Sequence, residues 1–252
     1  SRRPAPELIY MRDRCQFCGT CTFVCLNGVH EVTPQAHAIH WEACVACGRC
    51  VAECPGRALA IKGYGVLASG IVARAARMKP FFDHSGGGIT LTGGEITTQA
   101  EFARAILAGC RALGIHTAIE TCGACPWERL EQLLPYTDLI LYDLKLIEDA
   151  AHRRWTGASN RQVLDNAARL ADHNVQVRVP LIPGITDTEE NLLGIFGFMR
   201  RAGLRAVALL PYNPAASAKY EWFGLGYGIV GEPQTGEKME HFLALARGMF
   251  LD

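Results

Sequence analysis

Hydrophobic positions follow two regimes along this chain. From about residue 63 onward, short apolar or β-branched runs alternate with longer stretches in which apolar residues recur at helical spacing. The runs predict strands at Ile89–Thr92, His116–Thr121, Leu139–Leu144, Val175–Leu181 and Ala206–Leu210. Between them, Thr98-x-x-Glu101 reads as a capping box for a helix ending near Gly114, and Thr186-x-x-Glu189 starts another ending near Gly203. Pro126-Trp127-Glu128 suits a first helical turn, Asn160 is placed to cap a helix running to about Ala171, and a last helix runs from about Gly236 to Arg247. This alternation is that of βαβ units. The expected fold class is α/β, with about five strands in a parallel sheet curved into part of a barrel.

Residues 10–62 follow no such period. They hold two copies of one pattern, Cys15-x2-Cys18-x2-Cys21-x3-Cys25 and Cys44-x2-Cys47-x2-Cys50-x3-Cys54-Pro55. The composition change predicts a small domain over 10–62 and a larger one over 63–252. Each half of the small domain is too short to build a hydrophobic core, so bound clusters would act as its staples. The spacing is that of the ferredoxin run for two [4Fe–4S] cubes, in which the fourth thiolate of each run ligates the other cube. Pro55 follows Cys54 but Leu26 follows Cys25, so the first copy is slightly degenerate. A structural zinc site uses pairs set well apart, and neither run contains a histidine. A disulfide framework belongs to secreted chains, and nothing at the start resembles a signal peptide.

Composition narrows the picture little. The 252 residues are 49% hydrophobic and 20% charged, as in an ordinary globular enzyme. Lys plus Arg equals Asp plus Glu at 25 each, which gives no support to a nucleic-acid or anionic-membrane partner. No apolar run approaches the ~18–20 residues of a membrane span. Eleven cysteines without an export signal point to a reducing compartment, the cytoplasm of an anaerobe. The opening Ser1-Arg2-Arg3-Pro4, with the first Met at position 11, reads as a trimmed end.

In parallel α/β folds chemistry collects at the carboxyl ends of strands. Here those ends read Thr92-Gly93-Gly94-Glu95, Glu120-Thr121-Cys122-Gly123, Asp143-x-Lys145, Arg178-x-Pro180 and Pro211-Tyr212-Asn213. Gly93 and Gly94 let the backbone approach a ligand, and Glu95 behind them offers an anion suited to an ammonium group. Asp143 and Lys145 share a face, where they form either a structural ion pair or a site for a carboxylate and a cation. Glu120 and Thr121 add oxygens for that cation. Arg178 in an apolar strand faces a paired acid or an anionic ligand. Cys122-Gly123-Ala124-Cys125 has thioredoxin-type spacing without the rest of that pattern, which favours packing; Cys110 is expected to be buried in a helix. The eight histidines are expected to form no ligand cluster.

With these residues in view, the chain resembles the glycyl-radical-enzyme activating enzymes, the radical S-adenosylmethionine family that includes pyruvate formate-lyase activase, in the branch with a ferredoxin-like insert. The resemblance covers nearly the whole chain. It rests on the doubled cysteine run, Ser85-Gly86-Gly87-Gly88-Ile89-Thr90-Leu91-Thr92-Gly93-Gly94-Glu95, Glu120-Thr121-Cys122-Gly123, Leu141-Tyr142-Asp143-Leu144-Lys145, Arg178-Val179-Pro180, Leu209-Leu210-Pro211-Tyr212-Asn213 and Lys219-Tyr220-Glu221-Trp222. It implies that Gly93, Gly94 and Glu95 hold the amino end of the methionine moiety. It implies that Glu120, Thr121 and Asp143 map to a monovalent-cation site with Lys145 nearby, that Arg178 faces ligand or incoming peptide, and that Asn213 stands where some relatives have His. The family's catalytic cluster uses C-x3-C-x2-C, which is missing here: Gly28 and Arg57 stand where a third Cys would fall. The resemblance therefore implies a (βα)6-type barrel of which this chain is a fragment cut at both ends.

By that resemblance the intact protein reduces S-adenosylmethionine to methionine and a 5′-deoxyadenosyl radical, which takes hydrogen from a glycine of a partner glycyl radical enzyme. The clusters at Cys15–Cys54 would relay electrons from a flavodoxin or ferredoxin, and a third, catalytic [4Fe–4S] cluster would complete the set. The fragment itself is expected to carry about eight irons and not to cleave S-adenosylmethionine. Two other readings compete. An iron–sulfur electron-transfer module without radical chemistry fits the missing triad but leaves the strand-end residues without a use. A zinc-stapled binding module would hold zinc and no acid-labile sulfide.

Overall fold

The computed structural model describes residues 5–250. They form two compact units. One comprises the chain up to Gly65 together with Asn213–Ile229, and the other comprises Val66–Tyr212 and the chain from Val230.

The small unit is a repeat. It runs β1 (Glu7–Tyr10), α1 (Thr20–Val24), β2 (His30–Val32), β3 (His37–Ile39), α2 (Arg49–Ala52) and β4 (Leu59–Lys62). β1 pairs antiparallel with β4, and β2 with β3, so each strand of one half pairs with a strand of the other. Adding 29 to a residue number in the first half gives its counterpart: Cys15 becomes Cys44, and Cys25 becomes Cys54. The backbone repeats as well. Phe17 and Ala46 both sit at φ 52°, Gly19 and Gly48 at 74° and 80°, and Gly28 and Arg57 at 60° and 50°. The buried core is correspondingly thin, centred on Leu8, Val29, Cys50 and Leu59. Where the sequence drew its division at residues 62 and 63, the structure also groups Asn213–Ile229 with this unit. Lys62 lies over the Trp222 ring, and Gly224 packs so closely on Trp41 that a Cβ there would fall 2.4 Å from its indole nitrogen.

The larger unit is a parallel α/β layer. In chain order it contains α3 (Ala68–Ser85), β5 (Gly88–Leu91), α4 (Ala100–Ala112), β6 (His116–Thr121), α5 (Trp127–Glu131), β7 (Leu139–Asp143), α6 (Asp149–Thr156), α7 (Arg161–Arg169), β8 (Val175–Pro180), α8 (Glu189–Ala202) and β9 (Ala206–Leu210). Then come α9 (Ala216–Trp222), which belongs to the small unit, and α10 (Gly236–Phe250). The five strands are all parallel and ordered β5-β6-β7-β8-β9. Alternation along each strand gives the sheet two unlike faces. One buries Ile119, Ile140, Tyr142, Val177 and Val179 with helical Leu107, Leu130, Val163, Leu192, Ile195 and Phe196. The other presents Glu120, Asp143, Gln176 and Arg178, all only partly buried.

The strands fall where the sequence placed them, within a residue at each end. Helix starts differ. Thr98 does not cap α4, because the Glu95 carboxylate takes the amide of Thr97 and begins a short 3-10 turn first. Thr188 rather than Thr186 caps α8; the Thr186 hydroxyl is buried in the loop, bonding the Pro180 carbonyl and the Ile182 amide. Asn160 precedes α7, but its amide is spent on the carbonyls of Leu146 and Ile147. α3 was not expected, and it accommodates Pro80 within its span. Among the described residues no helix is long and apolar enough to cross a membrane.

Candidate functional site

The carboxyl ends of β5, β6, β7 and β8 lie side by side, and their side chains form one polar group. Arg178 is the register partner of Asp143. Its Nε and Nη2 bond Asp143 Oδ1 at 2.9 and 2.8 Å, and Nη2 also reaches Glu120 Oε1 at 2.5 Å. Lys145 Nζ stands 3.8 Å from Asp143 Oδ2. The Arg178 guanidinium, helped by Thr92 and Lys145, holds the Glu120 carboxyl below its ordinary range against the opposing effect of burial. Burial works against the Arg178 charge, yet the two carboxylates outweigh it and hold the guanidinium pKa above its usual value. The cluster is thus two acids and two cations, with Lys145 about a third exposed and able to meet an anion.

Three expected partners stand apart from it. Thr121 points to the opposite, buried face, where its hydroxyl donates to Glu95 Oε1 at 2.8 Å. The Arg178 guanidinium fills the position between Glu120 and Asp143 that the sequence reading gave to a monovalent cation. Glu95 also differs from expectation. Its Oε1 accepts from the Thr97 amide, the Thr97 hydroxyl and Thr121, and its Oε2 accepts from the Cys122 amide at 3.1 Å. That leaves a carboxylate little capacity for a ligand. Glu95 ties the end of β5 to the end of β6, while Thr92, Gly93 and Gly94 remain exposed. Asn213, in the small unit, spends its Oδ1 on the Ala215 amide.

The loop after β6 is held from beneath. Asn166, which the sequence reading missed, donates to the carbonyls of Gly123 and Cys125, both at 2.9 Å. Gly123 is left-handed (φ 65°), and a Cβ on it would fall 1.7 Å from the Tyr142 hydroxyl. That hydroxyl in turn donates to the Val163 carbonyl at 2.6 Å. Burial raises the pKa of the Cys122 and Cys125 thiols, so they stay protonated and packed, the opposite of an activated redox thiol.

In the small unit the eight run cysteines line two hollows. Cys15, Cys18 and Cys21 share the first with Cys54; Cys44, Cys47 and Cys50 share the second with Cys25. Amide donors already face sulfur, the Ala46 N–H at 3.4 Å from Cys44 Sγ and the Ala58 N–H at 3.2 Å from Cys54 Sγ. Burial first, then neighbouring thiolates, push Cys21 and Cys50 up to about 11. Deprotonating such crowded thiols requires a cationic occupant, so the donor set fits an iron–sulfur cube. The chain contains no C-x3-C-x2-C. Cys110, Cys122 and Cys125 in the larger unit do not make that set, so nothing here fits the ligands of a catalytic cluster.

The histidines were expected to form no cluster, and two of them do. His30 Nδ1 lies 3.0 Å from His37 Nε2, and His37 reaches both Cys15 and Cys21 Sγ, so Cys21, His30 and His37 gather in one place. Burial, then the neighbouring imidazole, brings His30 down to about 4, and burial lowers His37. The repeat held the signal: 29 residues from each of these histidines stands a leucine, Leu8 for His37 and Leu59 for His30.

The radical SAM superfamily matches residues 12–195. The chain belongs to the radical SAM superfamily. Within it, the chain is 38% identical over 240 residues to the choline trimethylamine-lyase activating enzyme of Oleidesulfovibrio alaskensis, covering 92% of this chain and 77% of that protein. It is 32% identical to the trans-4-hydroxy-L-proline dehydratase activating enzyme of Clostridioides difficile, over 85% of this chain and 73% of that one. The crystal structure of a domain of pyruvate-formate lyase-activating enzyme from Bacteroides vulgatus superposes with a TM-score of 0.55 at 25% identity, covering 65% of this chain and 94% of that one. These relatives place it among the activating enzymes of glycyl radical enzymes.

Proposed function

We propose that this radical SAM protein activates a partner glycyl radical enzyme, with S-adenosylmethionine bound at the polar rim of its parallel sheet and two auxiliary [4Fe–4S] clusters in a ferredoxin-like small domain. The observation that carries the reading is the convergence of Glu120, Asp143, Lys145 and Arg178 beside the exposed backbone of Gly93-Gly94, on adjacent strand ends. The five parallel strands would form part of a (βα)6-type barrel, with this rim facing its interior.

A zwitterionic amino acid moiety suits the rim. Its ammonium would meet the open carbonyls at Gly93-Gly94, and its carboxylate would meet Lys145. Glu95 contributes as a brace that fixes the loop rather than as a direct ligand. Arg178 keeps both acids ionised and oriented, and a monovalent cation beside them would have to displace its guanidinium. When bound, S-adenosylmethionine and a reduced cluster together supply hydrogen abstraction from a glycine α-carbon.

The crossed cysteine sets support the two auxiliary clusters, the first on Cys15, Cys18, Cys21 and Cys54, the second on Cys25, Cys44, Cys47 and Cys50. A flavodoxin or ferredoxin would be the electron donor. Leu26 and Val45 are 78% and 68% exposed next to Cys25 and Cys44, an apolar surface on which such a protein could dock.

The deciding experiment takes the protein translated from the whole reading frame, reconstitutes it anaerobically, and adds S-adenosylmethionine, a low-potential reductant and a candidate partner lyase. A glycyl-radical EPR doublet with stoichiometric 5′-deoxyadenosine is expected. Loaded auxiliary clusters without any binding of S-adenosylmethionine would instead favour a plain electron-transfer module, the reading that the missing C-x3-C-x2-C supports.

A further inference from the structure

The repeat of the small unit contains a mismatch. At the positions related by 29 residues, each half carries an imidazole where the other carries a leucine. His37 and Leu59 line the first hollow, and His30 and Leu8 line the second. The two imidazoles meet, His30 Nδ1 to His37 Nε2 at 3.0 Å. The other nitrogen of His37, Nδ1, lies 3.6 Å from Cys15 Sγ.

Two neutral imidazoles carry two N–H groups, and the bond between them uses one. One N–H therefore remains for two hollows. Among the described residues His30 Nε2 is buried with no hydrogen-bond partner, whereas His37 Nδ1 has a sulfur in front of it. A buried N–H without an acceptor costs more than a buried lone pair without a donor, so the His30 proton sits on Nδ1 and points to His37. The remaining proton then falls on His37 Nδ1, aimed at Cys15 Sγ.

We propose that His37 donates this N–H to the sulfur of the first cluster alone and sets its reduction potential above that of the second, so that the two cubes form an ordered relay. The inference rests on the two-cluster reading above. A hydrogen bond to a ligand sulfur favours the reduced cube, because it stabilises the added negative charge. His37 acts here through Cys15, as a tuning residue.

The test is an EPR-monitored redox titration of the full chain loaded with iron and sulfide. Two separate one-electron steps are expected. In His37→Leu, which installs the residue that the repeat itself uses at position 8, the upper step should move down by ~59 mV, a tenfold change in that equilibrium, with the lower step unmoved. A second measurement needs no variant: pulsed EPR on protein labelled with 15N-histidine should show nitrogen coupling on the first cluster to be reduced and not on the other. Coincident steps in the parent, unmoved potentials in an iron-replete His37→Leu, or nitrogen coupling on neither signal overturns the proposal. If His37→Leu loses its iron, the nitrogen coupling decides. A parent protein with no iron–sulfur signal sinks the underlying two-cluster reading instead.

Discussion

Arg178 and Asp143 are register partners on adjacent parallel strands, and the guanidinium bonds one carboxylate oxygen through two of its nitrogens while holding Glu120 from the neighbouring strand. One cation thereby spans β6, β7 and β8. Its side chain is 15% exposed, so removing it leaves two half-buried acids facing each other. Arg178→Met should lower unfolding free energy by about 3 kcal/mol in urea titrations and weaken S-adenosylmethionine binding at least tenfold. Arg178→Lys keeps the charge but loses the fork, and should fall between.

The same contact fixes an acid limb. Glu120 has its folded pKa depressed, chiefly by Arg178. Its contribution is therefore complete above the ordinary carboxylate pKa of ~4.3 and is lost as pH falls through the lower folded value. Glu120→Gln should be less stable than the parent at neutral pH, and the gap should close between about pH 5 and pH 2. A gap that stays constant across denaturation curves in that range would show that the pair does not couple to protons.

Glu95 accepts on both carboxylate oxygens from donors on two strand ends. In Glu95→Gln the amide NH2 must face at least one of those donors, leaving it unmatched. The expected cost is about 2 kcal/mol in stability, with looser binding of S-adenosylmethionine because the Gly93-Gly94 loop loses its brace. Thermal unfolding and equilibrium dialysis read the two effects separately.

Gly123→Ala should fail to accumulate as folded protein. The new methyl would overlap the Tyr142 hydroxyl at 1.7 Å and its ring carbon Cζ at 2.4 Å, at a left-handed φ. Adding Tyr142→Phe removes only the first of these overlaps, so the double variant should not recover. Soluble expression and circular dichroism check both.

Paired cysteine substitutions distinguish crossed from local ligation. Cys15→Ala with Cys54→Ala strikes one hollow and should leave about four irons. Cys15→Ala with Cys25→Ala strikes both and should leave close to none. Local ligation predicts the reverse, so iron analysis decides.

Much of this was legible in the residues. The five strands stood out because each is a short β-branched or apolar run closed by polar or turn-forming residues, and the strand ends carried the clustered charges. The pairing of Arg178 with an acid was open from its placement in an apolar strand; which acids it meets depends on register between strands 35 residues apart in sequence. For Glu95, sequence shows an acid behind two glycines but not the five donors of Thr97, Thr121 and Cys122 that turn its carboxylate inward. The helix caps were misread for a similar reason: Thr98, Thr186 and Asn160 are good cap types, but their side chains are spent on the carbonyls of Glu95, Pro180 and Ile147. His30 and His37 escaped notice since they lie outside both cysteine runs, and only the fold brings them to Cys15 and Cys21.

On the two-cluster proposal, the exchange of the fourth thiol between the two halves would also govern biosynthesis. When a ribosome has released the first run, Cys15, Cys18 and Cys21 lack the thiol of Cys54, and Cys25 waits for a hollow not yet made. Neither half offers a finished receptacle to a scaffold that delivers preformed cubes. Loading of the proposed cubes would therefore follow release of the nascent segment beyond Cys54, and delivery to both receptacles would become a single late event in maturation.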